Sequence, residues 1–513
     1  MSWISSLDLD RALSACHQDL LGDWYRDPWG WPELDWAVTS RRDLIEQRIL
    51  ATDVRTVAKI DVPKENFGIR PAVVMDPLDR LAYQALVGAM SQNLIAGLHA
   101  NAYGWRLPRT KMVPGVYANN SVEWDSYRDF LSALADRYEV VLKTDIVSCF
   151  ASIPAPRLIE DLESRTTQPR SRPVVERLIP RLEKWSNISS RSGIPQRFQP
   201  SAVLANMYLG QLDDVLNHVS SVFTYSGKER RSFVRWMDDL WLFGDDAGDL
   251  RHAQVEITRA LGDLGLNLNL GKTELLEGAA VAEHAKEIEH SAIDEELDLI
   301  GLVGGNKFKP RRLDELVERL VAQKEVASRT SIRFATTRMR KAGHYAKVEE
   351  FIGVAERMPQ GADHLARLFR DSKRSAGLEA WYCEYRSGSW ATIEWAAAQL
   401  ATMFPSKGGV GKAIQDEIEG IVLRPGVSVT MLAVAAQRLA KWRPREARVV
   451  IADAVKHADN PIHRRVLALA GLQAGCSKSI VTRWLNDFPE NAVILEMLKD
   501  MSFPKLPLKP DFG

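Results

Sequence analysis

The segment FVRWMDDLWLF (233–243) places two adjacent carboxylates, Asp238 and Asp239, between hydrophobic runs with β-strand character. Ionised carboxylates are costly to bury unless a cation compensates them, and a strand–Asp–Asp–strand pattern predicts a hairpin whose tip projects both acids. A third acid, Asp145, follows the β-rich run YEVVLKT on an expected neighbouring strand. Three carboxylates suit Mg²⁺ when phosphates complete its coordination shell. The pattern predicts a divalent-metal site, with separate structural acids as the alternative.

Other adjacent acids in the chain lack this hydrophobic setting. Asp245-Asp246 follows a glycine, and Asp213-Asp214 lies in an amphipathic segment that is predicted to be helical. We expect these two pairs to be solvated.

The elements that must position the acids change character along the chain. Residues 60–280 alternate short β-rich runs with helical segments, which predicts an α+β domain whose antiparallel sheet is covered by helices. Beyond about residue 310, apolar residues recur with helical periodicity in successive segments. This second part predicts helical hairpins stacked into an all-α, HEAT-like solenoid.

Composition narrows the class of protein. The 513 residues carry 67 basic and 67 acidic side chains, so any polyanionic partner must be bound by local patches rather than by net charge. The four cysteines lack metal-ligand spacing and predict neither a zinc site nor a disulfide framework. No apolar run is long enough to span a bilayer, and the first residues lack the pattern of a signal peptide. We expect a cytoplasmic protein without a membrane partner.

Basic residues cluster at three places where a nucleic acid could bind, with a solvated helix face as the alternative for each. The clusters are Arg106, Arg109 and Lys111; Lys307, Lys309, Arg311 and Arg312; and Arg338, Arg340 and Lys341.

Several motifs, in order, resemble those of reverse transcriptases. DIVSCF, GIPQRFQPSAVLANMYLGQLD and FVRWMDDLWLF resemble the palm motifs, and NFGIRPAVVMDPLDRLAYQALV with AYGWRLPR resembles the fingers. LGLNLNLGKTELL is similar to the segment that follows the catalytic hairpin. The resemblance implies five ranges: a helical extension (1–60), fingers and palm (61–285), a connector (286–310), an α-helical repeat domain (311–500) and a tail (501–513).

The resemblance also implies roles for individual residues. Asp145, Asp238 and Asp239 match the catalytic, metal-binding triad, the carbonyl of Ile146 would be an added ligand, and the cofactor would be Mg²⁺ or Mn²⁺. Four residues match nucleotide-binding positions, and two match positions that support the hairpin. The nucleotide-binding set is Arg70, Phe150, Gln196 and Lys272, and the hairpin set is Trp236 and Met237.

Two departures from the family pattern bear on how a template would be used. The hairpin aromatic is Trp236 rather than the usual Tyr or Phe. The usual Gln-Gly-Ser-Pro run is replaced by Gln196-Arg197-Phe198-Gln199-Pro200. Because glycine permits close backbone approach, we expect Arg197 and Phe198 to crowd the path of a conventional template.

A polymerase palm followed by helical repeats resembles bacterial abortive-infection and defence-associated reverse transcriptases. That resemblance implies protection against phages, a homo-oligomer, dNTP substrates, and a single-stranded DNA product made without an ordinary template. Several members prime from a Tyr, so that the product stays covalently attached. The priming Tyr is unknown here, and candidates include Tyr382, Tyr385 and Tyr25, which we expect to be exposed in the segment DWYRDP. Two alternatives remain: a template-copying enzyme with a dedicated non-coding RNA, and an inactive helical-repeat scaffold.

Overall fold

A computed structural model describes residues 3–500, apart from 56, 110–111, 189–192, 222–230, 304–309, 374 and 408. The predicted tail (501–513), together with Lys111, Lys307 and Lys309, therefore lies outside the described residues. The strands are β1 (Ala58–Pro63), β2 (Ile69–Val74), β3 (Ala102–Tyr103), β4 (Val140–Asp145), β5 (Arg231–Trp236), β6 (Asp239–Gly244) and β7 (Glu274–Glu277).

Helices account for most of the remaining described residues. They are α1 (Leu9–Gly22), α2 (Pro32–Ser40), α3 (Arg42–Leu50), α4 (Pro77–Ile95), α5 (Asn120–Arg137), α6 (Cys149–Ser152), α7 (Ala155–Arg165), α8 (Arg172–Ser186), α9 (Gln199–Ser220), α10 (Ala247–Asp263), α11 (Ala279–Ala285), α12 (Ile288–Val303), α13 (Arg311–Ala322), α14 (Arg329–Ala342), α15 (Val348–Ile352), α16 (Ala362–Asp371), α17 (Ser375–Ser387), α18 (Glu394–Ala401), α19 (Lys412–Leu423), α20 (Val429–Trp442), α21 (Pro444–Ala454), α22 (Pro461–Gln473), α23 (Lys478–Leu485) and α24 (Ala492–Lys499).

The chain divides into two compact units whose segments alternate along the sequence. The first is drawn from Met1–Asp19, Ile45–Val54 and Leu78–Asp294, and the second from Leu20–Leu44, Arg55–Pro77 and Glu295–Gly513. The five consecutive domain ranges inferred from the sequence remain a prediction.

A sheet with the strand order β3-β5-β6-β4-β7 forms the centre of the first unit. Strands β5, β6, β4 and β7 pair in antiparallel fashion, as the alternation of β-rich runs predicts, and the short β3 pairs parallel to β5. The predicted combination of an antiparallel sheet with helices is confirmed for this unit.

Helices cover both faces of this sheet because alternate strand residues point to opposite sides. On one face, Val141, Trp241 and Phe243 join a buried cluster with Tyr127 and Leu131 of α5. On the other face, β5 contacts the long helix α9. Both faces are therefore buried, and the ends of β4, β5 and β6 are held in fixed register.

The second unit includes the Trp/Pro-rich segment that precedes α2. Arg465 of α22 is buried and pairs there with Asp27 and with Glu33, whose Oε1 lies 2.5 Å from the Arg465 Nε atom. Tyr25 in this segment is only 2% exposed. Its expected exposure is wrong, because the segment packs into the helical unit instead of lying on the surface.

The C-terminal part of this unit is mostly helical, as predicted. Within the described residues, α16 packs against α14 and α18, and α20 packs against both α18 and α22. A second series joins α17 to α19 and α19 to α21. Within each of these two series, a helix thus contacts the next helix but one. In the described part of the chain, no helix is both long and apolar enough to cross a membrane.

Candidate active site

The three predicted acids lie at the ends of adjacent strands in the first unit. Asp145 ends β4 and is paired directly with Asp239, the first residue of β6. Asp238 lies in the two-residue turn between β5 and β6, next to Met237. The antiparallel register therefore brings together residues that are more than ninety positions apart in sequence.

The electrostatics of this strand end reflect the close approach of like charges. Asp239 keeps a solvent-exposed edge, yet desolvation by surrounding protein and the charge of Asp145 raise its pKa to about 6. Lys143 and Lys272 oppose this shift. Lys272 Nζ lies 3.0 Å from Asp145 Oδ2, so a cation already faces the acids.

In the part of the chain that the structure describes, the side chains as they stand do not form a preassembled metal site. Among the described residues, no group of three or more His, Cys, Asp or Glu side chains is arranged to hold a metal ion. Asp145 instead pairs with Lys272 and lies 3.4 Å from Asn269 Nδ2.

A buried salt bridge beneath the hairpin was not anticipated from the sequence. Arg235 of β5 is fully buried and binds both carboxylate oxygens of Asp213 at 2.7 Å. The same guanidinium donates to Asn206 Oδ1 at 3.0 Å and to the Met237 carbonyl at 2.7 Å. The expectation that Asp213 is solvated is therefore wrong. The available signal was helical spacing, since Asn206 and Asp213 are seven residues apart on α9.

Trp236 and Met237, the two predicted supports of the hairpin, have distinct environments. The Trp236 ring packs edge-on against the Trp124 ring, with 4.9 Å between the ring centroids, and its centroid lies 5.5 Å from that of the Tyr127 ring. Met237 is buried and adopts a φ of 54°, an uncommon left-handed value for a non-glycine residue. The turn is thus held by aromatic packing on one side and by Arg235 on the other.

The segment after β4 is tied to the Lys272 segment. Asn269 N donates to the Asp145 carbonyl at 2.7 Å, and Val147 N donates to Asn267 O at 2.9 Å. These two hydrogen bonds flank the Ile146–Leu268 bridge and do not use the Ile146 carbonyl. The site side chains Asp145 and Lys272 are therefore positioned by the same backbone link.

Phe150 and the Gln196 segment meet through a close backbone contact. Ile194 N donates to the Phe150 carbonyl at 2.9 Å. A Cβ atom added to Gly193 would lie 2.1 Å from that carbonyl oxygen, so only glycine fits. Phe150 and Gln196 are both partly exposed. The fold thus brings the segment of Gln196 next to that of Phe150.

The altered run after Gln196 has two different outcomes. Arg197 is exposed and adopts a φ of 67°, the conformation that glycine favours. Phe198 is only 2% exposed and lies beneath the Arg80 guanidinium, 4.3 Å from the ring centroid. The expectation that Phe198 crowds a template is wrong, because a buried ring cannot obstruct a strand at the surface. The expectation for Arg197 stays a prediction.

Arg70 belongs to the second unit, in β2, and its guanidinium lies 5.3 Å from the Trp24 ring centroid.

Among the basic clusters, Arg106 donates to the carbonyls of Ala100 and Ala102 at 2.8 and 2.5 Å. Arg311 pairs with Glu315 on its own helix, and Arg340 pairs with Asp371. Several of these cations are therefore engaged within the protein.

The tyrosines named as priming candidates are buried. Tyr25, Tyr382 and Tyr385 are at most 3% exposed, and Tyr382 Oη donates to the Ala397 carbonyl at 3.1 Å. Burial raises the pKa of Tyr385 to about 12. These three side chains are not positioned to receive a nucleotide in this conformation.

An antiparallel sheet with an Asp-Asp hairpin opposite a third Asp is the arrangement of a polymerase palm. Residues 62–303 match the family described as "Reverse transcriptase (RNA-dependent DNA polymerase)". This part of the chain is therefore similar to a reverse transcriptase domain, and the match supports a nucleotidyl-transferring polymerase. No curated protein matches the chain in a sequence search.

Proposed function

We propose that the chain is a phage-defence DNA polymerase that adds dNTPs from a protein primer, largely without a template. The nucleophile is a Tyr hydroxyl in the first addition and a 3′-hydroxyl in each later one. It loses its proton, its oxygen forms a bond to the α-phosphorus of a dNTP, and the bond from that phosphorus to the leaving pyrophosphate breaks. The observation that carries the polymerase activity is the pairing of Asp145 with Asp239 beside the Asp238 turn.

The donor set fits a divalent metal. Asp145, Asp238, Asp239 and the Ile146 carbonyl offer the hard oxygen ligands that Mg²⁺ or Mn²⁺ prefers. Desolvation and the charge of Asp145 raise the pKa of Asp239, and a bound cation would relieve the repulsion between the two carboxylates. When bound, a metal pair activates the attacking oxygen and stabilises the leaving pyrophosphate. A metal at Asp145 would compete with Lys272 for the carboxylate.

The residues around the acids would position the nucleotide. Phe150 would pack against the sugar and disfavour a ribose 2′-hydroxyl, and Gln196 would lie along the incoming nucleotide. Lys272 would donate charge or a proton to the departing pyrophosphate, and Arg70 would bind the triphosphate. Trp236 and Met237 would support the primer end at the hairpin, where Trp236 is held by Trp124 and Tyr127.

Template independence is supported by Arg197. Its exposed side chain stands at a left-handed position where the family pattern has glycine, so a long cation replaces a hydrogen atom. A strand that approaches the backbone there would meet this side chain.

The candidates for the priming residue are tyrosines outside the buried set. Tyr345 is partly exposed, whereas Tyr225 lies outside the described residues. The next-but-one packing of the C-terminal helices supports a HEAT-like solenoid, and we propose that it assembles the chain into a cytoplasmic homo-oligomer.

The test is to incubate the purified chain with each labelled dNTP and Mg²⁺ or Mn²⁺, without primer or template. The labelled product is compared before and after protease digestion, beside Asp238→Asn, Tyr345→Phe and Tyr225→Phe variants. Label that travels with the protein and disappears with Asp238→Asn supports protein-primed synthesis. Loss with one Tyr variant alone would identify the priming residue.

A second candidate is a template-copying reverse transcriptase with a dedicated non-coding RNA, which the family description "RNA-dependent DNA polymerase" favours. Label that appears only after an RNA template and a primer are added would support it. Absence of label in both assays would favour the inactive scaffold.

A further inference from the structure

The edge between α14 and α16 in the second unit concentrates positive charge around two carboxylates. Asp363 Oδ2 accepts from Arg329 Nη2 at 2.8 Å and lies 3.5 Å from Arg26 Nη2. Asp371 pairs with Arg340 at 2.6 Å and with Arg370 at 3.4 Å. Both carboxylates are therefore already shared between arginines.

The two salt bridges fix how the helices align. Arg329 near the start of α14 meets Asp363 near the start of α16, and Arg340 meets Asp371 at their far ends. The two packed helices therefore run in the same direction. Arg333 and Arg367 each lie four residues beyond the Arg329–Asp363 pair on their own helices. Residues four apart share a helix face. Both arginines therefore lie along the α14–α16 edge, in the interval between the Arg329–Asp363 and Arg340–Asp371 salt bridges.

Arg333 and Arg367 are the cations of this interval whose side chains, within the described residues, make neither a salt bridge nor a hydrogen bond. Arg333 is exposed, and Arg367 is partly buried. Two like charges that no carboxylate binds directly thus lie between two salt-bridged pairs.

Most of the charged groups that act on Arg367 are also positive. Burial lowers the pKa of Arg367 to about 10, with Arg26, Arg340 and Arg329 contributing and Asp363 opposing. Burial and the nearby arginines lower the pKa of His364 to about 3, so the imidazole adds no positive charge at neutral pH. A partly buried guanidinium whose charge is disfavoured by its neighbours is stabilised by any anion that reaches it.

The geometry points to an oxyanion site between α14 and α16, at which Arg333 and Arg367 together bind a phosphate group. Guanidinium forks match the oxygens of a phosphate and bind it by charge-assisted hydrogen bonds. The phosphate belongs either to a polynucleotide backbone or to a free nucleotide. The site does not depend on the proposed polymerase activity, because it uses none of the residues of the Asp hairpin.

The test measures binding of a 5′-fluorescein-labelled single-stranded DNA 20-mer to the full chain by anisotropy, without dNTP or metal. The double variant Arg333→Gln/Arg367→Gln removes two phosphate contacts. The slope of log K against log salt should fall by about 1.4, and affinity at 0.1 M salt by about 25-fold. In parallel, inorganic phosphate should raise the Tm of the wild-type chain but not of the variant if free phosphates bind there.

The matched control is Arg172→Gln/Arg445→Gln, which removes the same charge from two exposed arginines, one on α8 and one on α21, that belong to none of the three basic clusters. This control should retain the wild-type affinity and salt slope. Equal losses in both double variants would overturn the proposal, because only net charge would then matter. Retention of oligonucleotide affinity and of any phosphate-induced Tm shift in the Arg333/Arg367 variant would also overturn it.

The two single variants distinguish loss of phosphate binding from loss of folding. Arg333→Gln changes an exposed side chain and should by itself give about half of the slope change. Arg367→Gln removes a charge that no carboxylate binds directly, so the Tm without ligand should not fall. A large fall would mean that Arg367 has a structural role, and this outcome would contradict the site.

Discussion

Arg235 offers the sharpest test of how the hairpin is held. Its guanidinium makes two 2.7 Å bonds to Asp213 and one 2.7 Å bond to the Met237 carbonyl, with both charged side chains at most 3% exposed. Arg235→Met would leave the Asp213 carboxylate buried without its cation. Breaking a buried pair in this way costs about 3–5 kcal/mol.

The assay is native-state hydrogen exchange read by mass spectrometry in peptides that cover residues 231–244, because it reports local opening free energies. Protection should fall by about 10²- to 10⁴-fold, the equivalent of that free energy at 1.36 kcal/mol per decade. Arg235→Met/Asp213→Leu should recover most of the protection, since replacing both members of a buried pair with apolar residues is far less costly.

The control is Arg172→Met, which removes one member of an exposed pair with Glu176 and should leave protection of β5 and β6 unchanged. Polymerase turnover should fall with Arg235→Met, because Met237 loses the donor that fixes the turn. Unchanged protection in the single variant, or no recovery in the double variant, would refute the reasoning.

Three further outcomes are expected. Gly193→Ala should destabilise the first unit by at least about 1–3 kcal/mol, since its Cβ would meet the Phe150 carbonyl at 2.1 Å; a wild-type Tm would contradict that contact. Lys272→Ala should tighten Mn²⁺ binding, measured as a larger metal-induced Tm shift, because Asp145 loses its competing cation. The same variant should turn over about 10²-fold more slowly, and weaker Mn²⁺ binding would count against the competition. Tyr25→Phe, Tyr382→Phe and Tyr385→Phe should each leave the amount of protein-attached label in denaturing gels unchanged, because all three side chains are buried. Loss of label in any of these variants, if it is folded, would show that the buried conformation is not the one that primes.

The sequence was sufficient to locate the acids and their strands. The hydrophobic runs on both sides of Asp238 and Asp239 predicted the hairpin, and the run before Asp145 predicted its partner strand. Local periodicity also predicted the sheet with helices and the helical C-terminal part. Short stretches of sequence suffice for these features, because the positions of buried residues along a strand or a helix repeat with a fixed period.

Only the tertiary structure decided which polar residues are buried and what compensates them. Asp213 looked like a solvated helix residue until Arg235, on a strand more than twenty positions later, proved to be its partner. Tyr25 looked exposed beside charged residues, yet α22 supplies the buried Arg465 that neutralises Asp27 and Glu33. Burial of a charge depends on a partner that is distant in sequence, and no local pattern specifies that partner. The pair Arg333 and Arg367 emerged in the same way, from the alignment of two separate helices.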